Sequence, residues 1–202
     1  MTDFLTKIAQ NEPTAFGGFC EVYVFGNKAV KVLEDGCYLD VLQECYKQNI
    51  AADAGLAPRV HNVADLPGRV IIVMDAIDTD VWFQADACDD VAPTLLGELP
   101  VDEMETGLKL YCRLLKAGIV HADFHTGNWF MNDADQALAI DFGIANEIQD
   151  APKAHLMRAV QFILPALQRL GYDYLANNLQ AAWNEGLDAT RRELIEVANE
   201  IA

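Results

Sequence analysis

Apolar residues recur along this chain with two periods, and the change between them divides it. In the front third they alternate with polar residues. Cys20–Phe25 and Ala29–Leu33 read as short strands joined at Gly26-Asn27-Lys28, a hairpin turn. Asp40 to Ala54 then carries Val41, Leu42, Cys45 and Tyr46 at helical spacing, with Gly55 and Pro58 as the stop. Arg59–Val63 and Arg69–Asp75 predict a second strand pair, turning at Pro67-Gly68.

Beyond this point the helical period dominates. Met104, Leu108, Tyr111, Leu114 and Leu115 share a face of a helix over Pro100–Ala117, which Gly118 ends. Trp129–Met131 and Ala137–Ile140 predict a small hairpin around Asn132-Asp133. Three helices close the chain. The first lies near Lys153–Leu170 and is interrupted or kinked at Pro165; the second covers Asp173–Glu185 and ends at Gly186. The third begins with a capping box, Thr190 to Glu193. Strands, one helix, strands and then mostly helices describe an α+β plan with two lobes, their boundary near Met74–Asp78.

Composition narrows the function. The 202 residues hold 31 acids against 14 Lys+Arg, a formal charge of −17. Such a chain lacks the broad basic face that binds nucleic acid. Ten acids and no Lys or Arg fall between Val70 and Leu108, a solvated loop or a negative rim beside a cleft. The five cysteines show no CxxC pair, which fits reduced thiols in a cytoplasmic protein. No signal peptide is evident, and apolar runs such as Val70–Met74 are too short to span a bilayer.

Candidate chemistry gathers in HADFHTGNWF, His121 to Phe130, and in IDFG, Ile140 to Gly143. Asn128 follows Asp123 by five residues, and Asp141 follows Asn128 by thirteen. A loop ending in Asn, a hairpin and then an Asp would return two oxygen ligands to one edge. Mg²⁺ takes hard oxygen ligands of this kind. His121, Asp123 and His125 also alternate as metal ligands can, but His61 and His155 stand isolated and complete no set.

GIVHADFHTGN followed by AIDFG resembles the catalytic loop and metal-binding motif of the protein-kinase-like superfamily. A distant set agrees with it. AVKVL (Ala29–Leu33) is similar to the strand bearing the phosphate-binding lysine, here Lys31. AFGGFCEVY (Ala15–Tyr23) resembles the glycine-rich loop, with Gly17 and Gly18 retained and Cys20 where a third glycine would stand. Glu44 is the candidate partner of Lys31. VIIVMDAID resembles the strand and hinge joining the lobes, where Asp75 and Ile77 would offer backbone groups to adenine.

The resemblance covers about residues 14 to 145. It implies a bilobal kinase-like fold, with a small β-rich N-lobe (1–74) and a truncated helical C-lobe (75–202). It further implies ATP and Mg²⁺ as cofactors, with Asn128 and Asp141 on the metal. Asp123 would act as base, and His125 would touch the γ-phosphoryl, charged by its neighbourhood. Ala122 stands where regulated protein kinases often carry arginine. HxDxHxxN is similar to the loop of small-molecule and atypical kinases, including the aminoglycoside, lipopolysaccharide-core and ABC1-like groups. No long activation segment or APE-like motif follows Gly143, as in compact bacterial or phage-type kinases.

The expected activity is phosphoryl transfer to a hydroxyl, as an atypical compact Ser/Thr-type protein kinase. The acidic stretch, Asp86, Asp89 and Asp90 above all, suits a basic protein segment as acceptor. The alternatives are a small-molecule kinase of aminoglycoside or sugar type, and a catalytically weak kinase-like protein serving as an acidic binding module.

Overall fold

In the computed structural model of the protein, residues 2–17, 20–34, 36–84 and 96–202 are described. A short helix α1 (Thr2–Ile8) opens the chain. A five-stranded antiparallel sheet follows, in the order β1-β2-β3-β5-β4. Its strands are β1 (Ala15–Gly17), β2 (Cys20–Phe25), β3 (Lys28–Glu34), β4 (Val60–Leu66) and β5 (Arg69–Asp75). The turns fall where glycine permits them: Gly26 and Gly68 sit at φ 61° and 78°.

Because strand side chains alternate faces, β3 and β5 bury residues on both sides of the sheet. Tyr23, Val30, Val32, Ile71 and Val73 meet Ile8, Phe4 and Leu5 around α1. Val70 and Ile72 meet Val41 and Cys45 of helix α2 (Tyr38–Asp53) on the other face. The sequence pattern did not predict α1. At seven residues it is too short for a clear helical period, and its packing partners lie far along the chain.

The remainder is helical around small β pairs. Helix α3 (Val101–Lys116) is buried along Met104, Leu108, Tyr111, Leu114 and Leu115, as its spacing predicts. The strands here are β6 (Phe83–Gln84), β7 (Ile119–Val120), β8 (Trp129–Met131), β9 (Ala137–Ala139) and β10 (Asn146–Glu147). They form a sheet β6-β8-β9 and a pair β10-β7. Asn132 builds the β8–β9 turn, its Oδ1 accepting from the amides of Ala134 and Gln136, both at 3.0 Å.

Helices α4 (Lys153–Arg169), α5 (Asp173–Glu185) and α6 (Leu187–Ile201) pack behind these pairs. Two sequence expectations change here. Pro165 does not interrupt α4, and its ring packs against Gly97, where a Cβ would stand 2.5 Å away. Thr190 does not cap α6, which starts three residues earlier after Gly186. Its hydroxyl instead donates back to the Gly186 carbonyl at 2.8 Å.

The two halves are joined beneath α2. Leu56, just past that helix, lies in the core of the helical half, and its carbonyl accepts from the Ala139 amide at 2.8 Å. An antiparallel sheet followed by a helical body is the architecture of a kinase-like fold. No helix among the described residues is long and apolar enough to cross a membrane.

Candidate active site

Lys31 sits in the middle of β3 on the α2 side of the sheet. Val30 and Val32 beside it point the other way, toward α1. Its Nζ is 2.8 Å from Glu44 Oε1 and 3.3 Å from Asp141 Oδ1. Glu44 is buried on α2. Burial opposes the charge of Lys31, but the Glu44 and Asp141 carboxylates outweigh it and raise its pKa, so the amine stays charged. One cation thus links the strand, the helix and the segment that follows β9, across 110 residues of sequence.

Asp141 adopts φ 60°, unusual for a residue with a side chain. The turn lets Phe142 enter the core fully buried while the Asp141 carboxylate emerges half-exposed toward Lys31. His121 supports it from beneath. It is fully buried, and its Nε2–H donates to the Ile140 carbonyl at 2.8 Å. Its ring meets Phe142 and Phe124 edge-on. Burial pushes its pKa below the ordinary value. This placement answers the metal-ligand alternative for His121, whose ring faces the core. Among the described residues no three His, Cys, Asp or Glu side chains are grouped to hold a metal ion.

Asp123, His125 and Asn128 share one loop. The Asn128 Nδ2 donates to the Asp123 carbonyl at 2.9 Å and lies 3.4 Å from Asp123 Oδ2. The Ile140 amide donates to the Asn128 carbonyl at 2.9 Å, which brings the loop beside Asp141. The Gly127 amide donates to His125 Nδ1 at 3.1 Å. His125 Nε2 lies 3.1 Å from Asn128 Nδ2 and 3.7 Å from Asp123 Oδ2. Gln84 of β6 closes the loop from outside, donating to the Gly127 carbonyl at 2.8 Å.

The hinge residues are partly committed elsewhere. The Asp75 amide donates to Arg59, and its carboxylate meets Lys28 and His61, each at 2.7 Å. Burial would raise the Asp75 pKa, but hydrogen bonds from Lys28 and His61 override it and hold the group below the usual range. His61 thus has hydrogen-bonding partners, as does His155, whose Nδ1 lies 2.6 Å from Asn146 Nδ2, and neither belongs to a metal-holding group among the described residues. No described backbone group takes the Ile77 amide. Gly17 ends β1; Gly18 lies outside the described residues, as do Cys88, Asp86, Asp89 and Asp90.

Arg158 of α4 went unnoticed in the sequence. Its Nη1 donates to the Ala122 carbonyl at 3.1 Å and lies 3.4 Å from Asp123 Oδ1. Nothing in the local pattern marks it, because the contact spans 35 residues and two elements.

A family model described as the ABC1 atypical kinase-like domain matches residues 98–166. The match supports a protein-kinase-like superfamily. It takes in α3, the loop of Asp123 and Asn128, Asp141 and most of α4, including Arg158. Lys31 and Glu44 lie outside it, so their meeting with Asp141 rests on geometry alone. No curated protein matches the sequence.

Proposed function

We propose that the protein is an ATP- and Mg²⁺-dependent phosphotransferase that moves a γ-phosphoryl group to a hydroxyl acceptor. The observation that carries this is the contact of Lys31 with both Glu44 and Asp141. A charged amine held by a buried carboxylate suits nucleotide phosphates, and a half-exposed carboxylate beside it suits a divalent ion.

The donor set fits these groups. Asn128 spends its amide nitrogen on Asp123 and leaves Oδ1 without a donor among the described residues. That oxygen and the Asp141 carboxylate would hold Mg²⁺. Lys31 would bind phosphate oxygens, with Glu44 fixing its direction. The Ile77 amide and the Asp75 carbonyl would face the adenine, and Gly17 and Gly18 would lie over the phosphates. Bound Mg·ATP supplies the transferable group and neutralises its charge. Asp123 would accept the hydroxyl proton, and His125 would touch the γ-phosphoryl beside it. Positioning and charge carry most of the acceleration in chemistry of this class.

A protein acceptor with a basic segment is the first reading of the acidic composition. The small-molecule acceptor has a structural observation in its favour. The segment between Asp141 and α4 is short, and it turns back at once so that β10 pairs with β7. Arg191 of α6 then holds it, donating to the carbonyls of Ile148 and Ala151. Little chain remains there to form a peptide platform.

The test is transfer of labelled γ-phosphate from ATP to pools of protein and small-molecule acceptors, with and without Mg²⁺. Mg²⁺-dependent transfer that Asp141→Asn abolishes supports the proposal. Mg·ATP binding with no ADP or phosphorylated product would instead favour an acidic binding module on a kinase-like scaffold.

A further inference from the structure

Asp123 is held from two sides, and only one of them belongs to its own loop. On the loop side, Oδ2 faces Asn128 Nδ2 at 3.4 Å and His125 Nε2 at 3.7 Å. On the other side, Oδ1 faces Arg158 Nη1 at 3.4 Å, and the same nitrogen donates to the Ala122 carbonyl at 3.1 Å. We infer that Arg158 is a positioning residue: from α4 it fixes the direction of the Asp123 carboxylate toward the acceptor hydroxyl. The inference rests on the phosphotransferase reading above.

Three features favour this role. First, the nitrogen nearest the carboxylate also grips the backbone one residue earlier. The guanidinium therefore fixes the loop and the side chain together, which a contact to the carboxylate alone would not do. Second, the Oδ1 contact is long and single rather than bidentate. A forked arginine pair would occupy both oxygens and oppose proton uptake. A single contact restrains rotation and leaves room on Oδ1 for an incoming hydroxyl. Third, both side chains are well exposed, 47% for Arg158 and 39% for Asp123, so the pair adds little to folding stability. Its consequence is geometric, and small misplacement of a reacting group has a large effect on rate.

The charges around Arg158 fit. The loop side offers Asp123, Asn128 and His125; α4 offers His155, one turn earlier. The pKa of His155 is lowered by its burial and then by Arg158 and by Lys47 of α2. Apart from Asp123, no described acid pairs with Arg158.

The experiment is a double-mutant cycle on the full chain, read as Mg·ATP turnover to ADP with water as acceptor. Arg158→Gln should lower kcat roughly 10- to 100-fold, leaving KM for ATP within about twofold. Arg158→Lys should recover part of the loss. In an Asp123→Ala background, Arg158→Gln should cost nothing further. Losses that multiply across the cycle would overturn the inference, because Arg158 would then act on the phosphoryl group itself; so would an unchanged kcat in the single variant. Hydrogen exchange of the 121–128 amides supplies a readout independent of turnover. It should quicken in Arg158→Gln, and unchanged exchange would remove the anchoring. Absence of turnover by the unsubstituted protein would overturn the phosphotransferase reading, and with it any catalytic purpose for the contact, while the exchange arm still decides whether the anchor exists.

Discussion

Lys31 and Glu44 meet at 2.8 Å between a strand and a helix that share no local hydrogen bonding, and Asp141 approaches the same amine from the other half of the protein. Removing either end should have unequal effects. Lys31→Met leaves Glu44 buried without its cation and removes the phosphate-binding charge; turnover should fall by at least about 10²-fold. Glu44→Gln keeps the lysine but loosens its direction, so a smaller fall is expected. Single-turnover transfer rates on the two variants check the order.

Asp123→Ala should lower turnover by roughly 10²–10⁴ if this carboxylate takes the hydroxyl proton. Binding of Mg·ATP, followed by calorimetry, should survive because Lys31, Asn128 and Asp141 remain. Loss of binding together with turnover would place Asp123 among the nucleotide ligands instead.

His121 links stability to pH. Its folded pKa lies below the ordinary 6.5, so the unfolded chain binds the proton more readily. The stability from the neutral buried ring is fully present above about pH 6.5 and is lost as pH falls toward the folded value, by at most about 1.4 kcal/mol per unit. Urea unfolding at pH 7.5 and 5.5 measures the change. His121→Gln should retain a donor for the Ile140 carbonyl and lose this part of the slope.

Gly97 has no room for a side chain. A Cβ there would stand 2.5 Å from the Pro165 ring, and Arg169 holds the same turn through the carbonyls of Gly97 and Leu99. Gly97→Ala should destabilise the protein by about 1–3 kcal/mol through overpacking. A midpoint unchanged in denaturant would mean that the turn can slide along α4.

Much of this architecture is legible in local pattern. Val41 and Cys45 repeat at helical spacing, Val30 and Val32 alternate around Lys31, and glycine stands at the left-handed turns. The order of Lys31, Glu44, Asp123, Asn128 and Asp141 also pointed to a common cleft. What could not be read depends on distance in sequence. Arg158 meets Asp123 only because α4 packs beneath the loop. The short helix α1 is held by Tyr23, Val30 and Ile71 rather than by its own period. Thr190 followed a capping pattern, yet the left-handed Gly186, at φ 143°, broke the chain first.

Arg191 has a wider consequence. Its Nε and Nη2 hold the carbonyls of Ile148 and Ala151, both buried, from the last helix of the chain. The stretch leaving Asp141 is thereby anchored at its far end by a residue 40 to 43 positions away in sequence. Any force or ligand that displaces α6 must either break those two bonds or carry the stretch along with it. The remote end of the molecule thus has a short mechanical route toward the carboxylate beside Lys31, with Arg191 as one of its links.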